Sequence, residues 1–257
     1  MVTTPARLEL VALPDFPLVA QGDDLAHLIL EGVARAGLEL RDGDVVVLAQ
    51  KIVSKAEGRL VDLAGVEPSP EARALAAQVL KDPRLVELVL RESRRVVRAR
   101  PHVLIVEHRL GLIMANAGID QSNVDAGGRE VALLLPQDPD ASAHGLHARL
   151  RETCGAAVGV VINDSFGRPW RRGTTGIAIG AAGLPALVDR RGEPDLFGRP
   201  LQVTMIGFAD EIAASASLLM GPADEGRPVV VVRGLQWNAP MGPAADLIRP
   251  EAEDLFR

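Results

Sequence analysis

The sequence predicts a mixed α+β fold. Three observations lead there. Strand-like and helix-like segments alternate irregularly, sometimes as hairpins and sometimes across long connections, where a doubly wound sheet would alternate regularly. Hydrophobic residues make up 47% of the 257-residue chain, enough for one large core or two smaller ones that share residues. No long low-complexity linker and no internal repeat divides the sequence.

The elements follow in order. Residues Arg7 to Leu13 (RLELVAL) alternate apolar and polar and read as a strand. GDDLAHLILEGVARAG reads as a helix, with Asp23 and Asp24 at its start and Gly37 where a terminating glycine belongs. DGDVVVLAQKIVS supplies a turn and a buried strand. Two tandem helices come next, one opened by Ser69-Pro70 and one by Asp82-Pro83, the second running towards Arg94. HVLIVEHR and LGLIMANAG flank Leu110-Gly111 as a hairpin. ASAHGLHARLRETCG is an amphipathic helix ending near Gly155, and AAVGVVIND is a buried strand. LQVTMIGF, DEIAASASLLMG and PVVVVRGL read as strand, helix and strand, and the acidic tail PAADLIRPEAEDLFR reads as helical. Loops rich in glycine and proline fall at residues 117–128, 164–176, 189–200 and 221–228, where a site is expected.

Composition excludes several functions. Aromatic residues are 3% of the chain with no tyrosine, which argues against a base-stacking surface, and a net charge of −6 argues against general polyanion binding, so no nucleic acid is expected as a partner. The single cysteine, Cys154, rules out an internal disulfide or a CxxC zinc site. The start lacks an apolar signal core and no apolar run reaches membrane-spanning length, so a cytoplasmic protein without a membrane partner is expected.

Four stretches carry candidate chemistry. In VVINDSFGRPWRRG, a buried strand delivers Asn163, Asp164 and Ser165 at its end, followed by Arg168, Arg171 and Arg172. A rigidly held carboxylate suits a metal, and guanidinium groups suit phosphates; the same pattern also fits a strand-terminating Asx turn with surface arginines. NAGIDQSN places Asp120, Ser122 and Asn123 after an apolar run in the same manner. Two carboxylates of this kind point to a hard cation such as Mg2+, which takes one or two carboxylates and substrate phosphates. In QKIVSKAEGR, Lys51 and Lys55 flank a strand end; without a G-x-x-x-x-G-K-[ST] motif, charge alone makes them snorkelling surface lysines. GTTGIAIGAAG lacks dinucleotide spacing, so its glycines serve close packing. His27, His102, His108, His144 and His147 read as surface or structural residues, and G-x-S-x-G is absent.

Ten ordered blocks together resemble one family: GDDLAHLI, AQKIVSKAEGR, KDPRLVELVLRES, NAGIDQSNV, LLLPQDPDASA, VVINDSFGRPWRRG, AIGAAGL, DLFGRPLQVT, ADEIAASASLLMG and VVVVRGL, from about Phe16 to Leu235. They are similar to the coenzyme F420-0:L-glutamate ligases (F420:γ-glutamyl ligases) in their stand-alone form, without a C-terminal nitroreductase-like domain. The resemblance implies one ligase unit over residues 1–257 with two intimately associated lobes, and a cytoplasmic homodimer without a P-loop. It implies that L-glutamate is joined to coenzyme F420-0 at the expense of GTP, with Mg2+ or Mn2+ and K+ as cofactors, in F420 biosynthesis; further γ-linked glutamates are an extension of the same chemistry. By position, Phe16, Pro17, Leu18, Val19, Gln50, Lys55, Asn123 and the segment Met220, Gly221, Pro222, Ala223, Asp224, Glu225, Gly226, Arg227 match nucleotide contacts. Asp120 and Asp164 match the ligands of one metal, and Ser165 a ligand of a second. Lys55, Asp120, Asp164 and Arg168 are the expected catalytic set. Two positions depart from the resemblance: Gln50 stands where members can carry serine, a mild change since an amide also hydrogen-bonds, and Pro222 where they carry a Glu or Gln that helps hold the second metal. The residues by themselves leave open a metal-dependent phosphohydrolase or a nucleotide- or deazaflavin-binding protein with impaired chemistry.

Overall fold

In the computed structural model, residues 6–121 and 127–254 are described. The elements in chain order are β1 (Glu9–Ala12), α1 (Leu25–Arg35), β2 (Val45–Ala49), α2 (Gln50–Ala56), β3 (Leu60–Asp62), α3 (Pro70–Val79), α4 (Pro83–Arg91), β4 (Ser93–Arg100), β5 (Val103–His108), β6 (Ile113–Ala115), β7 (Val131–Leu133), α5 (Pro139–Cys154), β8 (Gly159–Arg168), β9 (Arg171–Ala182), β10 (Val188–Asp189), β11 (Met205–Ile206), α6 (Phe208–Met220) and β12 (Val229–Arg233). Helices and mixed sheets together make the fold α+β, as the irregular alternation predicts.

A five-stranded sheet ordered β1-β12-β2-β8-β9 forms its centre. Every neighbouring pair is antiparallel except β2 and β8, which run parallel from Val45↔Gly159 to Ala49↔Asn163. The near-continuous valines of β2, β8 and β12 reflect burial on both faces. On one face Val46, Leu48, Val160, Ile162, Val229 and Val231 pack with Ile29 and Val33 of α1 and Ala143 and Leu150 of α5. On the other, Val45, Val47, Val161, Val230 and Val232 pack against Ile212, Ala213 and Ala216 of α6.

The long connection between α2 and α5 builds its own structure. Helices α3 and α4 pack on the β4-β5-β6 sheet through Ala72, Ala76, Val79, Val86, Val89, Leu104 and Val106. A second cluster, Leu63, Val66, Leu88, Ala132 and Leu134, lies by the β3–β7 pair. The helix starts are those the sequence marks: Asp24, Ser69, Asp82 and Asp138 each accept a backbone N–H from the first turn. Proline occupies the first helical position after the last three.

Several expectations are corrected. Residues 164–176 are not a loop: β8 continues through Arg168 and pairs with β9 in a hairpin. Gln50–Ala56 is a helix, so Lys51 and Lys55 stand one helical turn apart rather than at a strand end. The tail forms short 3-10 turns at Ala244–Leu247 and Glu251–Glu253, because prolines at 243 and 250 restart the chain before a full helix develops. LQVTMIGF reduces to the two-residue β11. The arginine-rich β4 is a strand that composition conceals: its register against β5 shifts twice, which destroys simple alternation.

Glu87 ties α4 to the approach of α3. Its carboxylate accepts hydrogen bonds from Ser69 N–H and Arg91 Nε, each at 2.9 Å. Hydrogen bonds from the side chain and then the backbone of Ser69, aided by Arg91, hold its pKa down at about 2. The folded pKa lies below the unfolded value of 4.5, so this stabilisation is complete above that pH and is lost as pH falls towards about 2. Glu87→Gln is expected to lower Tm at neutral pH, with the gap to the wild type narrowing as both are acidified through that window. Melting curves that stay equally far apart at every pH would refute the linkage.

Candidate functional site

Strand directions gather the candidate segments. β1, β2 and β8 end at the same edge of the sheet where β12 begins, since Ala12 pairs with Val230, Leu48 with Val229, and Ala49 with Asn163. The chain leaving β1, all of α2, the polar part of β8 and the loop entering β12 therefore meet there. Hydrogen bonds close the assembly: Gly22 N donates to Ala56 O at 2.9 Å and Ala49 N to Pro228 O at 2.8 Å. Ligands favour the carboxyl end of parallel strands, and β2–β8 is the parallel pair of this sheet.

Asp120 arrives from the inserted segment. It forms a two-way backbone bridge with Leu133, which in turn pairs with Leu60 of β3. Its Oδ2 lies 2.6 Å from Lys51 Nζ, and both side chains are largely shielded. Lys51 is therefore part of the site, contrary to its reading as a snorkelling surface lysine. Asp164 is half-buried in β8, and its Oδ1 accepts the N–H of Ser165 at 2.8 Å. Burial pushes its carboxyl up to about 7, and Asp120 adds to the rise, while the Ser165 N–H and Lys51 oppose it. Burial, and then the charge of Lys51, lower the pKa of half-buried Lys55.

The pleat separates Asp164 from Ser165. Ile162 and Phe166 face the α1–α5 side and Val161 the α6 side, so alternation puts Asp164 on the first side and Ser165 on the second. Asn163 shares the second side. It is buried, and its Nδ2 donates to Ser217 Oγ at 3.0 Å and to Met220 Sδ at 3.4 Å. Gly176 lies under this junction: a Cβ there would collide with Ser217 Oγ, Asn163 Oδ1 and the carbonyl of Ala213. This residue pair escaped the sequence reading; the one trace of it was an amide directly after four buried strand residues.

The remaining candidates are placed as follows. Phe16 packs on the core and Val19 is buried, whereas Pro17 and Leu18 are exposed. Gln50 is buried, and its Oε1 accepts the Ser54 hydroxyl at 2.9 Å, so this oxygen already serves α2. Met220 is buried; Pro222, Ala223, Asp224, Glu225, Gly226 and Arg227 are exposed, and Gly221 takes a positive φ of 70°. The Glu225 carboxylate folds back to accept the Ala223 N–H at 2.9 Å. Arg168 is half-buried beside the hairpin turn, its Nη2 donating to Arg172 O at 3.5 Å, and Arg171 and Arg172 are exposed. Asn123 and Ser122 lie outside the described residues.

The carboxylates of Asp164 on β8 and Asp120 on the inserted segment are hard oxygen donors on one side of the strand, which fits Mg2+ or Mn2+ completed by water and phosphate oxygens, and the Ser165 hydroxyl is a hard donor on the other side. Among the described residues no group of three or more His, Cys, Asp or Glu is placed to hold a metal ion. Among those residues, too, no helix is long and apolar enough to cross a membrane.

Residues 15–234 match the family model described as F420-0:Gamma-glutamyl ligase. The chain is 46% identical over 252 residues to the coenzyme F420:L-glutamate ligase of Methanothermobacter thermautotrophicus, covering 97% of this chain and 99% of that protein. It is 49% identical over 243 residues to the protein of the same name from Methanopyrus kandleri, covering 93% of each. The similarly named protein of Archaeoglobus fulgidus is 45% identical over 251 residues, 98% of this chain and 97% of its own length.

The Gly176 junction has a direct test. Gly176→Ala should lower stability by about 1–3 kcal/mol, the usual cost of overpacking, and should speed proteolytic cleavage within residues 221–228 by loosening the end of α6. Gly167→Ala, where a Cβ meets nothing within 4 Å, serves as the control with neither effect. Equal melting temperatures and cleavage rates for the two variants would remove the junction from any role in placing that loop.

Proposed function

The chain belongs to the F420-0:gamma-glutamyl ligase family, and on that premise we propose that it joins L-glutamate to coenzyme F420-0 by an amide bond, driven by GTP. The reading is carried by one observation: Asp120, Asp164, Lys51 and Lys55 converge at the carboxyl end of the parallel strand pair, beside the segments after β1 and before β12. All the reactants are anionic; in a protein of net charge −6, the two lysines of this crevice, and a divalent ion on its aspartates, would supply the positive charge that they need.

A carboxylate is a poor acyl donor at neutral pH. In the proposed sequence an oxygen of the precursor carboxylate attacks the terminal phosphorus of GTP, the bond to the bridging oxygen breaks, and GDP leaves with that electron pair. The glutamate amine then attacks the acyl carbon, the C–O bond to phosphate breaks, and inorganic phosphate departs as the amine gives up its proton. Lys55 binds nucleotide phosphate as a point charge. Arg168 offers a guanidinium at the base of the β8–β9 hairpin for a phosphate or an acidic substrate. Residues 16–19 and 220–227 position the nucleotide, and packing of Phe16, Val19 and Met220 against the core fixes where those segments start and end. Asp120 and Asp164 would hold Mg2+ or Mn2+, which supplies charge neutralisation for a transferring phosphoryl group when bound. Ser165, on the opposite side of the strand, would serve a second ion. At this second place Pro222 offers no side-chain oxygen, and Glu225 is engaged by its own loop.

Mass spectrometry of the products formed from the F420-0 precursor, glutamate and GTP tests the reading. Asp164→Ala is expected to keep its fold and lose at least about 100-fold in glutamate addition, the scale for removing one electrostatic partner of a transition state. Near-wild-type turnover would overturn the assignment of Asp164, and phosphate release that needs no glutamate would replace the ligase with a phosphohydrolase. Pro222→Glu should strengthen occupancy of the second ion place in a Mn2+ titration; two equally tight ions in the wild type, lost together in the variant, would show that Pro222 is no handicap.

A further inference from the structure

Lys51 has no part in the proposed chemistry, yet it occupies the centre of the site. It is the second residue of α2, whose start is fixed by the pairing of Ala49 with Asn163. From there its Nζ reaches 2.6 Å from Asp120 Oδ2, and its charge acts on Asp164 and on Lys55 as well. Two ammonium groups and two carboxylates thus share one partly shielded crevice. Each like pair would be unfavourable alone: Lys51 and Lys55 stand one helical turn apart, and Asp120 repels the charge on Asp164. The crossed contact between Lys51 and Asp120 offsets both repulsions.

The balance cannot survive arrival of a divalent ion unchanged. An Asp120 oxygen that ligates Mg2+ does so at about 2.0–2.1 Å. An ammonium group left at its present distance from that carboxylate would share one carboxylate with the divalent ion, two positive charges held close together in a half-buried place. Nucleotide phosphates entering the same crevice bring the negative charge that a displaced ammonium needs.

We propose that Lys51 is the resident counter-cation of the Asp120–Asp164 site: it holds Asp120 while no divalent ion is bound, and a divalent ion binds by displacing it. The proposal rests on the metal reading given above. Lys51 then weakens binding of the bare ion and couples ion binding to the arrival of phosphate, to which the released ammonium moves without leaving α2.

Calorimetric titration with MnCl2 in the absence of nucleotide tests this, using the full chain as wild type, Lys51→Met, Lys51→Arg and Asp164→Asn. Lys51→Met is expected to bind Mn2+ on the order of tenfold more tightly than the wild type, the effect of relieving one charge competition worth about one pKa-unit equivalent. Lys51→Arg should stay near the wild type, and Asp164→Asn should bind more weakly. Thermal melts give an independent readout: Lys51→Met should melt lower than the wild type without metal and gain more from Mn2+. If Lys51→Met folds only with Mn2+ present, that dependence is the same effect, whereas a variant that Mn2+ fails to rescue argues for a purely structural ion pair and overturns the proposal. Equal or weaker Mn2+ binding by Lys51→Met also overturns it. Wild-type protein that binds no Mn2+ removable by Asp164→Asn would bring down the metal reading and the proposal together.

Discussion

The parallel pairing of β2 with β8 is the constraint on which the remaining architecture depends. Two parallel strands cannot be joined by a tight turn, so everything between residues 50 and 158 is a single crossover enlarged into a substructure. Because both strands run the same way, their polar ends coincide. α2 leaves β2, and Asn163, Asp164 and Ser165 continue β8 past the last residue of β2. The antiparallel neighbours β1 and β12 then bring two further loops to the same edge. Apolar side chains on both faces bury this part of the sheet completely.

The enlarged crossover has a second consequence. Asp120 is far from β2 and β8 in sequence and is brought towards them by the ladder Asp120–Leu133–Leu60. That ladder is anchored by Arg59, whose Nε donates to Leu135 O at 2.8 Å and whose Nη2 lies 2.9 Å from Glu92. Glu92 also sits 2.9 Å from Arg109 and 3.6 Å from fully buried His108. Burial raises the pKa of this carboxyl, but His108, Arg59 and Arg109 outweigh it, so Glu92 stays charged and the cluster clamps the inserted segment to the end of α2. His108, which the sequence leaves as a surface or structural residue, is fully buried in this cluster.

Electrostatics and packing are arranged differently at the two sides of β8. Towards α1 and α5, Asp164 shares an incompletely solvated crevice with Asp120 and two lysines. Towards α6, Asn163 and Ser217 make a neutral junction over Gly176, which is filled by contact rather than by charge. One strand therefore carries a charged face and a neutral, packed face, and the pleat keeps them apart.

The sequence by itself determined the fold class, most helix starts and the family resemblance. Helix caps are local: Ser69-Pro70 and Asp82-Pro83 act on backbone groups within one turn, so nothing distant needs to be known. The order of ten motifs along the chain, likewise, carries its family resemblance without any contact being specified. Tertiary structure alone decided the rest. β8 extends through Asp164 because β9 pairs with it, Asp164 with Ile177, and no feature of NDSFGR announces that partner. α2 forms at Gln50 because packing, not a capping side chain, ends β2 there. Above all, Lys51 looked like a surface lysine because its nearest residues in sequence offer it no carboxylate. Its partner, Asp120, is brought within 2.6 Å by a strand pairing that only the folded crossover creates; a charge pair is set by distance in space, and spacing along the chain does not report it.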